Sequence, residues 1–176
     1  INFYALKEEN DFALGDDYIN VLEGGYDIVF LCSPNNPTGG ELSEQCLLEI
    51  VTRCKRLGIL PVIDMSFADF SENTVSANVL AEAGAAVIKA FTKIYAMPAL
   101  RLGYMLCCDE DLLGKVSLAG QSWSVNSLAQ AAGAAALDDS DFIGRTVEYI
   151  SRERRFLTEK FGAMGIKTYP AAANFI

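Results

Sequence analysis

Apolar runs alternate with amphipathic segments along the first half of the chain. Three short runs, residues 27–32, 60–63 and 86–91, have the character of β-strands. Between the first two, apolar residues recur at helical spacing, and Gly58 follows them as a helix-ending residue. Residues 74–83 can form a shorter helix that ends at Gly84. This β-α-β-α-β order predicts right-handed crossovers and an α/β fold with a mostly parallel sheet.

The second half of the chain has a different pattern. Residues 102–107 form a strand-like run that follows the previous one too closely for a helical crossover, so this strand should run antiparallel to its neighbour. Residues 109–118, 127–137 and 141–161 have helical patterns, and residues 162–165 end the last and longest helix. The terminal runs INFYAL and ANFI are also strand-like.

Apolar strands at both ends of a chain are unusual, because a domain normally buries such strands and ends in polar residues. We therefore expect a fragment of a longer chain. Residues 1–140 would be part of its large domain, and residues 141–176 a long connecting helix and the start of a smaller C-terminal domain.

Asn36, Asp64 and Lys93 each follow one of the three parallel strands, at intervals of 28 and 29 residues. Each has an ordinary structural explanation, respectively a turn, a cap and a solvated surface charge. Loops at the carboxyl ends of parallel strands lie together, however, and ligands bind there. An amide, a carboxylate and an amine in one crevice can hold a pyridine ring, keep it protonated and form a Schiff base with its aldehyde.

Composition narrows the possible functions. The net charge is −9, which makes nucleic acid and anionic membranes poor partners. No apolar stretch reaches the roughly 18 residues of a membrane span. The chain has no histidine, which excludes Ser-His and Cys-His hydrolases and makes a metal site improbable. The five cysteines lie in apolar runs without metal-ligand spacing and predict buried, reduced thiols in a cytoplasmic protein: Cys32, Cys46, Cys54, Cys107 and Cys108.

Three motifs in this order, SPNNPTG, DMSFADF and FTKIYAMPALRLGY, resemble the signature of fold-type-I pyridoxal-phosphate enzymes, the aspartate aminotransferase superfamily. The resemblance implies a three-layer αβα large domain, the cofactor pyridoxal 5'-phosphate and a homodimer. It also implies that Asn36 binds the phenolic oxygen of the cofactor, Asp64 its pyridine nitrogen and Lys93 its aldehyde. Lys93 and Asp64 would be the catalytic residues. Thr92 and Arg101 would bind the phosphate, which suits the paired donors of a guanidinium group.

Two branches of this superfamily, both acting on small phosphorylated amines, compete. Phe67 stands where the histidinol-phosphate aminotransferases usually carry a tyrosine, and QSWSVNSLAQAAG resembles the threonine-phosphate decarboxylases of cobalamin synthesis. We therefore favour the decarboxylase, although core packing is an alternative explanation for Phe67 and Trp123. Met65, Lys89 and Ala99 depart from the usual pattern. An inactive fragment and a sensor domain of an aminotransferase-like regulator remain as alternatives outside the enzyme class.

Overall fold

A four-stranded mixed sheet organises the fold. The computed structural model describes residues 1–73 and 75–176. The strands are β1 (Ile28–Cys32), β2 (Leu60–Asp64), β3 (Ala86–Ala90) and β4 (Gly103–Leu106), and they lie side by side in this order. β1, β2 and β3 are parallel, and β4 pairs antiparallel with β3. The predicted mostly parallel sheet with an antiparallel fourth strand is confirmed.

The described part of the chain contains seven α-helices, of which the first precedes β1 and the others connect or follow the strands. They are α1 (Tyr18–Val21), α2 (Glu44–Leu57), α3 (Ala77–Ala83), α4 (Phe91–Ile94), α5 (Glu110–Ala119), α6 (Ser127–Asp138) and α7 (Phe142–Ala163). The short 3-10 helices are Glu8–Asn10, Leu22–Gly24, Ala68–Phe70 and Pro98–Leu100. The predicted helix over 74–83 corresponds to α3, and its proposed start at Thr74 lies outside the described residues.

The crossover helix α2 has a capped start, and it ends at the glycine that the sequence predicts. The Ser43 hydroxyl accepts a hydrogen bond from the Cys46 backbone N–H (3.2 Å), which satisfies one of the free donors at the helix start. Gly58 adopts a left-handed conformation (φ 73°) that ends the helix. The apolar face of α2 is fully buried against the sheet and α3, in a core that includes Leu47, Val51, Ile63, Leu80 and Val87.

Side chains on the opposite face of the sheet remain exposed. Ile28 is 48 % and Phe30 is 74 % exposed on β1, and Ile88 is 37 % exposed on β3. Helices α2 and α3 therefore form one layer, and the described residues do not cover Phe30 with another.

The strands predicted at the two ends of the chain are wrong. Residues 1–7 and 167–176 contain no strand. Neither run pairs with an edge of the sheet, and strand-like composition alone does not supply the partner that a strand needs. Ile1 and Phe3 project into solvent, whereas Ala173 is fully buried beside Phe67 and Phe70. No helix in the described part of the chain is long and apolar enough to cross a membrane.

Candidate active site

Asp64 is the last residue of β2 and lies at the carboxyl edge of the sheet. It is in register with Cys32 on β1 and Ile88 on β3. Its Oδ1 accepts a hydrogen bond from the Ser66 backbone N–H (2.9 Å), and its backbone oxygen accepts one from the Ser33 N–H (3.0 Å). These hydrogen bonds hold the half-buried Asp64 carboxylate at the turn that follows β2.

Asn36 lies in a tight loop that follows β1. The loop is closed by hydrogen bonds from the Asn35 N–H to the Gly40 oxygen and from the Gly39 N–H to the Asn35 oxygen, both 2.7 Å long. The Asn35 side chain also donates to the Thr38 hydroxyl (2.8 Å). Asn36 itself is exposed, so its amide is available to a ligand.

The Cys32 thiol connects this loop with Asp64. Burial raises the pKa of the thiol, the nearby Asp64 carboxylate raises it further, and the Asn36 backbone N–H lowers it. Both neighbours are thus close enough to Cys32 to influence its ionisation. The Asn36 loop and the Asp64 carboxylate therefore lie on adjacent strand ends, as predicted.

Lys93 lies in helix α4 rather than in a loop, because the predicted strand 86–91 ends at Ala90. Its side chain is exposed, and its Nζ is 5.3 Å from the centroid of the Phe67 ring. Among the described residues no carboxylate forms a salt bridge with Lys93. The amine is therefore free of an acidic partner.

A cleft of about 530 Å³ opens beside Lys93. Thr92, Lys93 and Arg101 line it together with Ser66, and strands β3 and β4 form its floor. Arg101 has a left-handed backbone (φ 55°), and its guanidinium group donates a hydrogen bond to the Pro98 oxygen (2.9 Å). Asn36 and Asp64 are absent from the lining, so the structure brings three of the five predicted site residues into one cleft.

Two residues of the site were not identified from the sequence. Ser66 binds Asp64 through its backbone and lines the cleft, and its position two residues after Asp64 was the only available signal. Lys89 is 8 % exposed and forms an ion pair with Asp69. The sequence marked Lys89 only as a departure from a common pattern.

The aromatic and thiol predictions have mixed outcomes. Phe67 is 8 % exposed and packs edge-on against Phe175, with ring centroids 5.1 Å apart. Trp123 is 97 % exposed with φ 64°, so core packing is the wrong explanation for this residue. All five cysteines are free, and Cys54 is buried as predicted. Cys32, Cys46 and Cys107 are half-buried, so their predicted burial is met only in part. The predicted burial of Cys108 is wrong, because this residue follows β4 at the surface. No metal-binding cluster occurs among the described residues.

Comparison with known proteins identifies the fold and the family. The family model for aminotransferase class I and II matches residues 1–176. The chain belongs to this family. Its members depend on pyridoxal 5'-phosphate, so the cofactor predicted from the three motifs is confirmed.

Curated relatives come from more than one branch of the family. The chain is 35 % identical to the threonine-phosphate decarboxylase of Salmonella typhimurium over 180 residues, which cover 100 % of this chain and 49 % of that protein. It is 33 % identical to the histidinol-phosphate aminotransferase of Clostridium kluyveri, over 85 % of this chain and 42 % of that protein. The chain spans about half the length of these relatives, which agrees with the predicted fragment of a longer chain.

Solved structures show the same fold. The histidinol-phosphate aminotransferase of Clostridium acetobutylicum superposes with a TM-score of 0.86 at 22 % sequence identity, over 96 % of this chain and 51 % of that one. An aspartate aminotransferase double mutant of Thermus thermophilus gives a TM-score of 0.77 at 23 % identity, over 92 % of this chain and 44 % of that one.

The residues of the cleft fit the family cofactor. A volume of about 530 Å³ lies within the roughly 300–1,000 Å³ range of small-molecule sites. Lys93 supplies an amine that forms no salt bridge with any residue that the structure describes, and Arg101 supplies a positive charge at the same wall. Pyridoxal 5'-phosphate carries an aldehyde, which would suit the Lys93 amine, and a phosphate, which would suit the Arg101 guanidinium group.

Proposed function

We propose that the protein containing this chain is a pyridoxal-phosphate-dependent decarboxylase of threonine phosphate. Membership of the aminotransferase class I and II family supports the cofactor, and the cleft beside Lys93 supports its position. The proposal places this enzyme in the cytoplasm as a homodimer, and both of these points rest on the family resemblance.

In this proposal, the residues of this chain hold the cofactor at five points. Lys93 binds its aldehyde carbon, Asp64 keeps a proton on the ring nitrogen, and Asn36 donates an amide hydrogen bond to the phenolic oxygen. Thr92 and Arg101 bind the phosphate, for which a guanidinium group offers paired, charge-assisted hydrogen bonds. The bound cofactor withdraws electrons from the bond that breaks at the substrate α-carbon.

Lys93 would have a second role with substrate bound, the movement of a proton at the reacting carbon. The amine lies 5.3 Å from the Phe67 centroid, and no salt bridge within the described part of the chain competes with this role. Asp64 stays in place through its bond from the Ser66 N–H (2.9 Å).

The surroundings of Phe67 are the observation that favours decarboxylation. The buried ring presents an apolar face to Lys93, at the position where the related aminotransferases usually have a tyrosine hydroxyl. Without that donor, the cofactor's phenolic oxygen depends on Asn36 alone among the proposed contacts. This difference would change the electronic state of a bound cofactor, and the orientation of the substrate would then select the bond that breaks.

A histidinol-phosphate aminotransferase is the second candidate, because curated enzymes of this activity are 33 % identical to the chain. The proposed five cofactor contacts serve either reaction. Both substrates carry a phosphate and an amine.

Substrate assays of the protein that contains this chain distinguish the two candidates. With threonine phosphate, we expect release of carbon dioxide and formation of the phosphorylated amino alcohol. Amino transfer from glutamate to imidazole-acetol phosphate, with no carbon dioxide from threonine phosphate, would establish the aminotransferase instead. If neither reaction occurs while the cofactor is bound, the substrate class is wrong.

A further inference from the structure

The buried ion pair between Lys89 and Asp69 has no role in the proposed chemistry. Lys89 lies on β3, four residues before Lys93, and its side chain is 9 % exposed. Asp69 lies in the 3-10 helix Ala68–Phe70, and its side chain is 22 % exposed. Removing two charges from water costs several kcal/mol per ion, so such a pair is a weak source of stability compared with apolar packing.

The pair connects the two elements that bring Phe67 and Lys93 together. Phe67 is the residue immediately before the 3-10 helix that carries Asp69, and its oxygen accepts a hydrogen bond from the Phe70 N–H (3.2 Å). Lys93 lies in helix α4, which begins directly after β3. A bond between Asp69 and Lys89 therefore joins the 3-10 helix that follows Phe67 to the strand β3, which leads directly into the helix that carries Lys93.

Aromatic side chains pack beside the same junction. Tyr104 is the cross-strand partner of Lys89, and burial raises its pKa, with Asp69 as a further cause. Tyr95 follows α4, and its pKa is raised by burial first and by Asp69 second. Phe91 stacks on Tyr95 (5.1 Å) and packs edge-on against Tyr104 (5.8 Å). The ion pair thus lies near Phe91, the first residue of α4, and Tyr95, the residue that follows α4.

We propose that Lys89 and Asp69 are positioning residues, whose ion pair sets the place of the Phe67 ring under Lys93 and thereby the place of Lys93 in the cleft. This inference rests on the proposed attachment of the cofactor to Lys93. Lys89 itself lines the cleft, whereas Asp69 is not among the lining residues. An effect of Asp69 on the cofactor therefore passes through its ion pair, the 3-10 helix and α4.

The test measures the dissociation constant of pyridoxal 5'-phosphate, by titration of the bound-cofactor absorbance, in the protein that contains this chain. Lys89→Met removes one charge and Asp69→Asn removes the other with little change of volume. We expect each to weaken cofactor binding by about tenfold or more, because small displacements of a reacting group have large effects. Lys89→Arg keeps the pair and should restore binding close to that of the unchanged protein.

Leu80→Ala is the matched control. Leu80 lies on α3, is fully buried in the hydrophobic core and does not line the cleft. Circular dichroism first confirms that each variant is folded at the temperature of the titration. If the pair acts only on stability, Leu80→Ala should weaken binding as much as Lys89→Met does. If the ion pair acts by positioning Lys93, the Leu80→Ala variant should bind pyridoxal 5'-phosphate as tightly as the unchanged protein.

The outcomes separate this inference from the proposed function. If Lys93→Ala retains the bound-cofactor absorbance, the proposed attachment itself is wrong. If Lys93→Ala loses that absorbance while folded Lys89→Met and Asp69→Asn bind the cofactor normally, the positioning role alone is overturned. The positioning role would also be contradicted if Lys89→Met and Lys89→Arg both weakened cofactor binding. In that case the loss of the ion pair would not be the cause of the weaker binding.

Discussion

Substitution of Gly39 by alanine tests whether the C-terminal segment holds the Asn36 loop. Gly39 has φ 76°, and a Cβ built on it would lie 2.6 Å from the Ala171 Cβ. The Ala172 N–H also donates a hydrogen bond to the Gly39 oxygen (2.9 Å). Two penalties therefore combine at this position, a left-handed backbone conformation and a steric overlap.

The two penalties can be separated by a control. A left-handed conformation costs a non-glycine residue about 1–2 kcal/mol. Overpacking of a close contact adds about 1–3 kcal/mol. Gly58 has a similar φ of 73° but nothing within 4 Å of the added Cβ, so Gly58→Ala carries the first penalty only. We expect Gly39→Ala to destabilise the protein by about 2–5 kcal/mol and Gly58→Ala by about 1–2 kcal/mol.

The assay is urea unfolding of the protein that contains this chain, followed by circular dichroism. Ala171→Gly combined with Gly39→Ala should recover part of the extra loss, and the single Ala171→Gly variant completes the double-mutant cycle. Equal losses for Gly39→Ala and Gly58→Ala, with no coupling to position 171, would refute the contact between the C-terminal segment and the loop.

Two further predictions concern titratable groups. Burial raises the pKa of Glu41, while the Ser71 hydroxyl, which donates to its Oε2 (2.7 Å), and Arg154 lower it. Because the folded state then binds the proton more tightly, the contribution of Glu41 to stability is present below the unfolded pKa and is lost as pH rises through the folded pKa. Glu41→Gln should therefore gain stability relative to the unchanged protein as the pH of the urea unfolding experiment rises above 4.5, the ordinary pKa of a glutamate side chain. A stability difference that does not change with pH would contradict this reasoning. Burial also raises the pKa of the fully buried Cys54, whereas Cys108 is exposed. Iodoacetamide should thus label Cys108 well before Cys54 in the folded protein, and peptide mass spectrometry that finds equal rates would show that the burial of Cys54 is wrong.

Local sequence patterns were sufficient for the sheet and its crossover helices. The helical spacing of Leu47, Ile50 and Val51 and the glycine after α2 report the local backbone and the buried face directly. The short link between residues 93 and 102 was enough to predict an antiparallel fourth strand. The terminal strands failed because a strand needs a partner, and composition does not show whether one is present.

The candidate site could be predicted in part for the same reason. Strand ends reveal which polar residues share an edge of the sheet, so Asn36, Asp64 and Lys93 could be selected. Contacts between distant segments leave no periodic signal. The approach of Ala171 to Gly39 and the pairing of Asp69 with Lys89 are of this kind, and so is the position of Phe67 under Lys93.

The central claim is that Lys93 binds the cofactor, and peptide mapping tests it most directly. The protein that contains this chain is loaded with pyridoxal 5'-phosphate, reduced with borohydride and digested, and the modified lysine is located by mass spectrometry. We predict that the cofactor is found on Lys93 and that the Lys93→Ala variant, folded by circular dichroism, carries none. Lys89 also lines the cleft. Modification of Lys89 or of any other lysine, with Lys93 unmodified, would contradict the account.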